Sequence, residues 1–224
     1  ILIHGAGSAG HQLVKKYDLN SGTDGDKRKI NGALHVCNAI QKLDNALFEI
    51  FISCGLNIFP VHTASTIIQK NKKITRFPTE IISDSFQNKC IPVLYGEMVF
   101  DEDLGMSPCS GDAIASLLAR KFGAQKIFFA SDIAGIFDKD PHLHADAKLI
   151  EKINLSKIWK DDKIKITGSH SVDVTGGLLG KIKSLDLKHK DSLKSVEIFN
   201  GLNEKNYSDI LLGNKFPHTI IRIK

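Results

Sequence analysis

An apolar strand that runs straight into three glycines within six residues constrains this chain more than any other feature. "ILIH" is followed by "GAGSAGH", which places Gly5, Gly7 and Gly10 between His4 and His11. A tight turn alone would not need so much glycine, whereas a loop whose amides must approach an anion at a helix N-terminus would. "HQLVKKY" then reads as that helix, with His11 on its first turn. Strand, glycine loop and helix in this order belong to α/β proteins.

The same order recurs. Residues 20–29, "NSGTDGDKRK", are polar and glycine-bearing and read as a mobile, lid-like loop. Over residues 33–54 Leu34, Cys37, Ile40, Leu43, Leu47, Ile50 and Phe51 recur at helical spacing, with Gly55 as the stop. "NIFPVH" predicts a strand, "STIIQKNKKITRF" a hairpin around a polar turn, and "TEIISDSFQNK" a helix. "CIPVLYG" has the continuous apolar character of a strand buried on both faces. A polar loop over residues 95–112, a helix over 113–122, the strand "QKIFFAS" and the turn-rich "DIAGIFDKDP" follow. "GGLLGKIKSLDLKHK" predicts a helix, "SVEIFNG" a strand, "NYSDILLG" a helix and "HTIIRI" a closing strand. This alternation predicts a three-layer α/β/α sandwich with a mostly parallel central sheet, plus a β-hairpin insertion. At 224 residues one such domain, spanning 1–224, can bury its own core.

Several classes are excluded. No apolar run approaches the roughly 20 residues of a membrane helix, and no basic-then-apolar leader opens the chain, so a soluble, cytoplasmic protein without membrane partner is expected. The formal charge of +5 comes from lysines scattered among 25 acids, with no arginine and aromatic stripe, which argues against nucleic acid. Cys37, Cys54, Cys90 and Cys109 have neither zinc-site spacing nor disulfide density and are expected to be reduced and mostly buried.

Ligands in parallel sheets bind beyond the carboxyl ends of the strands, where the glycine loop, residues 95–112, residues 131–140 and the loop closing at Gly177 would gather. Gly5, Gly7 and Gly10 fit G-x-G-x-x-G, yet the nearest acids, Asp24 and Asp26, lie in a polar loop and not at the end of a second strand, as a dinucleotide fold requires. No Gly-Lys-Ser/Thr follows, so a P-loop is excluded as well. What remains is a glycine loop able to hold a phosphate. His4 and His62 read as core or rim residues at strand ends.

"HGAGSAGH", "IPVLYGEMV", "SGDAIASLLA", "SDIAGIFDKDP" and "VDVTGGLLGKI" stand in the order and spacing of the amino acid kinase superfamily. Nearly the whole chain resembles it, and "GAGSxGH" with "DVTGG…GK" is most similar to the isopentenyl phosphate kinases. The resemblance implies transfer of the γ-phosphate of ATP, bound with Mg²⁺, to isopentenyl phosphate in an archaeal-type mevalonate route, by a homodimer. A fosfomycin-type, nucleoside monophosphate or amino acid kinase of the same superfamily, and a non-catalytic nucleotide-sensing domain, are the alternatives.

By that resemblance Ala6 and Gly7 would offer amides to the phosphates, with Gly5 and Gly10 shaping the loop. His11 would donate a hydrogen bond to the acceptor phosphate. Ser110, Gly111 and Asp112 would form an acceptor-side turn, which would also suit an N-cap. Gly176, Gly177 and Lys181 would meet the nucleotide phosphates, while Asp132, Asp138 and Lys139 would line the nucleoside, unless residues 138–141 are simply a turn. Acceptor binding would fall roughly in residues 1–110 and nucleotide binding in 111–224. The chain departs from the family at Ala9, where Phe is usual, and at Glu97, Ala113 and Ala134, where Asp is usual. The family's opening K-x-GG-S element is not in the sequence, which begins within a strand, so a preceding segment is expected. The apolar face of the helix over residues 33–54 is the expected dimer surface.

Overall fold

The computed structural model describes residues 1–154 and 192–223, and the chain divides into two compact units, Ile1–Ala115 and Ser116–Lys224. In the first unit three strands, β1 (Leu2–His4), β2 (Ile58–Pro60) and β5 (Ile91–Tyr95), form a parallel sheet in the order β1-β5-β2. Val93, Leu94 and Tyr95 are at most 1% exposed, so both faces of β5 are covered. This is the burial that the continuous apolar run of "IPVLY" demands. Helix α1 (Gly7–Lys16) packs against α2 (Lys27–Ser53), and Ala33, Val36 and Ile40 of α2 join Tyr95 and Met98 in one core. α4 (Glu80–Gln87) also lies on β5.

Helix α2 begins six residues before the expected start at residue 33. Asp26 caps it, accepting the amides of Arg28 at 2.7 Å and Lys29 at 3.0 Å, so the charged "DKRK" is a helix N-terminus and not loop. The preceding stretch is no free lid. Thr23 is buried, its amide donates to the carbonyls of Leu104 and Met106, and its hydroxyl accepts from the Met106 amide at 2.9 Å.

The expected hairpin is β3 (Ile68–Lys70) and β4 (Lys73–Arg76), turned through Asn71 and Lys72, both at positive φ. It follows a single helical turn, α3 (Thr63–Thr66). The loop expected over residues 95–112 proves to be largely a second hairpin, β6 (Glu97–Asp101) and β7 (Gly105–Cys109). Strands pair in the order β4-β3-β6-β7, which leaves β7, with Pro108, at an edge, the position where a sheet tolerates proline.

Asp101 links the two hairpins. Its carboxylate accepts the amides of Asn71, Lys72, Asp103 and Leu104 and the hydroxyl of Ser107, at 2.8–3.1 Å. Burial opposes its ionisation, but the Lys72 amide, the Ser107 hydroxyl and the amides of Asp103 and Asn71 outweigh that and hold the carboxyl at about 2.

The second unit contains β8 (Lys126–Ser131), β9 (Lys152–Asn154), β10 (Ser195–Asn200) and β11 (Thr219–Arg222) in the order β8-β10-β11-β9. Among these four strands the β10–β11 pair is antiparallel and the other two pairs are parallel. Val196, Ile198, Ile221 and Ile223 form its core with Ile133 and Ile136. A helix over Lys205–Leu212 (α6) ends at Gly213, and the short strand β9 was not expected. The helix expected from "GGLLGKIKSLDLKHK" lies outside the described residues.

No helix among the described residues is long and apolar enough to cross a membrane. All four cysteines are free, but only Cys109 is buried, and Cys54 is exposed; the expectation of mostly buried thiols is corrected accordingly. Burial pushes the Cys109 thiol up to about 12.

Asp101→Ala should lower unfolding free energy by roughly 3 kcal/mol at neutral pH, because five donors lose a charged acceptor. The native carboxyl titrates at about 2 and an ordinary one at 3.8. The stabilisation is therefore complete above the higher value and disappears as pH falls through the lower. Urea unfolding of both proteins at neutral pH and near pH 2 should show the difference shrinking in acid.

Candidate active site

Two turns meet at the carboxyl end of β1. The first is the glycine turn, and the helix claims more of it than the sequence indicates: α1 starts at Gly7, so His11 is its fifth residue, on the second turn and not the first. Gly7 has φ +58°, a conformation that side chains resist although a Cβ there would meet nothing within 4 Å. Ala6 is the N-cap but offers no side-chain bond, and no acid occupies the first turn. Among the described residues, the opening amides of α1 thus have no carboxylate or hydroxyl cap and carry the partial positive charge of the helix end.

Gly10 has a different task. Its amide donates to the Ala6 carbonyl at 3.2 Å, and a Cβ there would lie 2.6 Å from Ala6 Cβ and 3.0 Å from Ile40 Cδ1. Glycine at 10 lets α1 settle on α2. Gly5 and His11 are exposed and Ala6 is half-buried.

The second turn leads into α5 (Gly111–Lys121). Ser110 caps it, its hydroxyl oxygen accepting the Ala113 amide at 3.1 Å, and Asp112 stands half-buried in the first helical turn. A Cβ on Gly111 would lie 3.4 Å from the His4 carbonyl oxygen, and one on Gly96 would lie 3.0 Å from the Gly111 nitrogen. The Gly96 amide donates to the His4 carbonyl at 3.2 Å. Glycine at both positions therefore brings Ser110, Gly111 and Asp112 beside the glycine turn, and two helix N-termini share one strand end.

Sequence reasoning named His4, His62 and Glu97 but missed Asp44, Tyr95 and Thr63, which join them beneath this edge. Asp44 of α2, at 1% exposure, receives a hydrogen bond from His4 Nε2 at 3.2 Å. Tyr95 OH lies 2.7 Å from His62 Nδ1, and the Thr63 hydroxyl donates to the Tyr95 carbonyl at 2.6 Å. Glu97 accepts the Ala64 amide at 2.9 Å. Burial raises the Glu97 carboxyl, against the pull of the Ala64 amide and the Cys37 thiol, and Asp44 raises it further. Burial, then Glu97, pushes the Cys37 thiol up to about 12. Burial, then Glu97 and Asp44, pushes the Tyr95 phenol up, so it remains a donor. One signal was available: Val36, Ile40 and Asp44 recur every four residues, which puts an acid on the inward stripe of α2.

In the second unit Asp132 is exposed just beyond β8, where Ser131 pairs with Asn200 of β10. The Ser131 hydroxyl donates to Asp132 at 3.1 Å. Asp138 accepts the Lys148 amide at 2.8 Å, Lys139 pairs with Asp146, and Asp140 accepts the His142 amide at 2.8 Å. Asp138, Lys139 and Asp140 are thus tied to residues 142–148 of the following loop. Gly176, Gly177 and Lys181 lie outside the described residues. Among the described residues no group of His, Cys, Asp and Glu is placed to hold a metal ion.

The profile of the amino acid kinase family matches residues 1–200. The isopentenyl phosphate kinase of Methanocaldococcus jannaschii is 32% identical over 95% of this chain and 77% of its own. That of Methanothermobacter thermautotrophicus is 27% identical over 99% of this chain and 83% of its own. A solved isopentenyl phosphate kinase structure superposes with a TM-score of 0.81 at 24% identity, over 98% of this chain and 82% of that one. The chain belongs to the amino acid kinase family and, within it, to the isopentenyl phosphate kinases.

Gly10→Ala should cost about 1–3 kcal/mol through overpacking against Ala6 and Ile40, read as a lower thermal midpoint, and Ile40→Val in the same chain should recover the Ile40 part of it.

Proposed function

We propose that the protein transfers the γ-phosphate of ATP, supplied as its magnesium complex, to isopentenyl phosphate, giving isopentenyl diphosphate and ADP, a step of isoprenoid biosynthesis. The observation that carries this reading is the 32% identity to a named isopentenyl phosphate kinase across 95% of the chain. The uncapped N-terminus of α1 supports it, because a phosphate there would satisfy amides that the protein leaves to a ligand.

The acceptor is a phosphate monoester whose second pKa near 6 leaves it largely dianionic at neutral pH. Its oxygen is already a nucleophile, so no general base is required. The work lies in bringing two polyanions together and stabilising the transferring group. On this reading the amides of Ala6 and Gly7 hold phosphate oxygens, and His11 donates to the acceptor phosphate. Gly111 and Asp112 close the acceptor side, with Ser110 holding the α5 turn. Gly176, Gly177 and Lys181 serve the β- and γ-phosphates. Asp132 serves the nucleoside side, while Asp138 and Lys139 brace the adjoining turn through Lys148 and Asp146.

A cytoplasmic homodimer belongs to the same reading. Ile50 and Ile52 near the end of α2 and Phe59 on the edge strand β2 are exposed apolar side chains that support a subunit contact.

Full-length protein incubated with ATP, Mg²⁺ and, in parallel, isopentenyl phosphate, dimethylallyl phosphate, fosfomycin and UMP should yield a new diphosphate with isopentenyl phosphate by phosphorus NMR. Turnover of fosfomycin or UMP alone would move the substrate, and ATP binding without turnover would favour a sensing role. His11→Ala should lower kcat by about 10²-fold or more while leaving ATP affinity intact, and Lys181→Ala should raise the ATP KM and lower kcat.

A further inference from the structure

His4 immediately precedes the glycine turn, and both of its ring nitrogens face acceptors. Nε2 is 3.2 Å from the Asp44 carboxylate, and Nδ1 is 3.1 Å from the Gly5 carbonyl oxygen. Neither oxygen can donate. A neutral imidazole has a single N–H and would satisfy one of these bonds at the expense of the other. The imidazolium satisfies both.

The surroundings agree with a cation at this position. Asp44 is 1% exposed on the stripe of α2 that carries Val36 and Ile40, where an unpaired carboxylate would be severely penalised. Glu97 is a second buried carboxyl close enough to feel Asp44. Tyr95, whose ring centre is 5.0 Å from that of His4, presents an aromatic surface that a cation favours. Among the described residues the His4 ring thus meets the Asp44 carboxylate, the Gly5 carbonyl and the Tyr95 ring.

We propose that Asp44 is a positioning residue for the acceptor phosphate, acting by holding His4 as an imidazolium that clamps the Gly5 carbonyl. In a trans peptide the C=O and the following N–H point in opposite directions. Drawing the Gly5 carbonyl onto the ring therefore turns the Ala6 amide away from it, towards the uncapped start of α1. The same ion pair, neutral in sum, turns its positive member towards the glycine turn, one residue away. Asp44 touches no substrate and acts through His4 and the Gly5–Ala6 peptide.

The inference rests on the phosphate-transfer reading, so its test has a part that does not. In the full-length protein, nitrogen NMR of the His4 ring, assigned by its disappearance in His4→Gln, should show both nitrogens protonated at neutral pH, and Asp44→Asn should leave one unprotonated. Inorganic phosphate should shift the Ala6 and Gly7 amides and bind about tenfold more weakly in Asp44→Asn. In turnover, Asp44→Asn and His4→Gln should each raise the isopentenyl phosphate KM by about tenfold with the ATP KM unchanged, and the double variant should be no worse than either single one.

A neutral His4 in the parent protein overturns the proposal. So does an Asp44→Asn protein with unaltered phosphate binding, or one losing acceptor and ATP affinity equally together with thermal stability. If the parent protein fails to turn over isopentenyl phosphate, the assigned substrate falls, and the ring protonation and phosphate titration still decide the role of Asp44.

Discussion

The parallel pairing of β1 with β5 sets the edge at which the two glycine-bearing turns meet. Its register puts His4 opposite Tyr95, and the glycine turn and the β5–β6 connection leave the sheet at that level. Gly96 and Gly111 then allow the backbone entering α5 to lie against the His4 carbonyl. A single strand end consequently organises two helix N-termini whose amides add their fields at one place. A side chain at 96 would crowd the Gly111 nitrogen at 3.0 Å, and one at 111 would crowd Ile3 at 3.2 Å.

Beneath that edge the protein keeps polar groups where a hydrophobic layer would be simpler. The interior around Tyr95 holds Asp44, Glu97 and Cys37, each partnered within the unit. Such groups fix directions, because every donor has one acceptor that suits it, whereas apolar side chains would permit many packings. Backbone amides that are to meet a ligand, as proposed for the glycine turn, would take their precision from the framework that orients the peptides.

The regular parts of this architecture were legible because they have strong periodicity. "IPVLY" is an uninterrupted apolar run, "SVEIFN" places Val196, Ile198 and Phe199 in a short β-rich stretch, and the spacing of Val36 and Ile40 marks the inward face of α2. The boundaries were less legible. Asp26 looked like part of a polar loop because capping uses the same residues that turns use. The β6–β7 hairpin was hidden by acids at residues 101–103 and by Pro108, which a sheet edge tolerates. The position of the glycine turn could be read from Gly5, Gly7 and Gly10, but their division of labour could not. Gly7 answers a local dihedral requirement, whereas Gly10 answers contact with Ile40, thirty residues away in sequence. Asp44 was missed because its partner lies forty residues away, at the end of another strand.

The network around Asp101 has an evolutionary corollary. Surface turns usually absorb insertions and deletions readily, since lengthening them costs little entropy. Here the turn at Asn71 and Lys72 is capped by a side chain from the other hairpin, and the Asp103–Leu104 turn shares that same carboxylate. Adding a residue to either would displace amides that must reach a common point. These two turns should therefore hold their lengths as the lineage diverges, while length variation accumulates in connections that answer to no shared side chain.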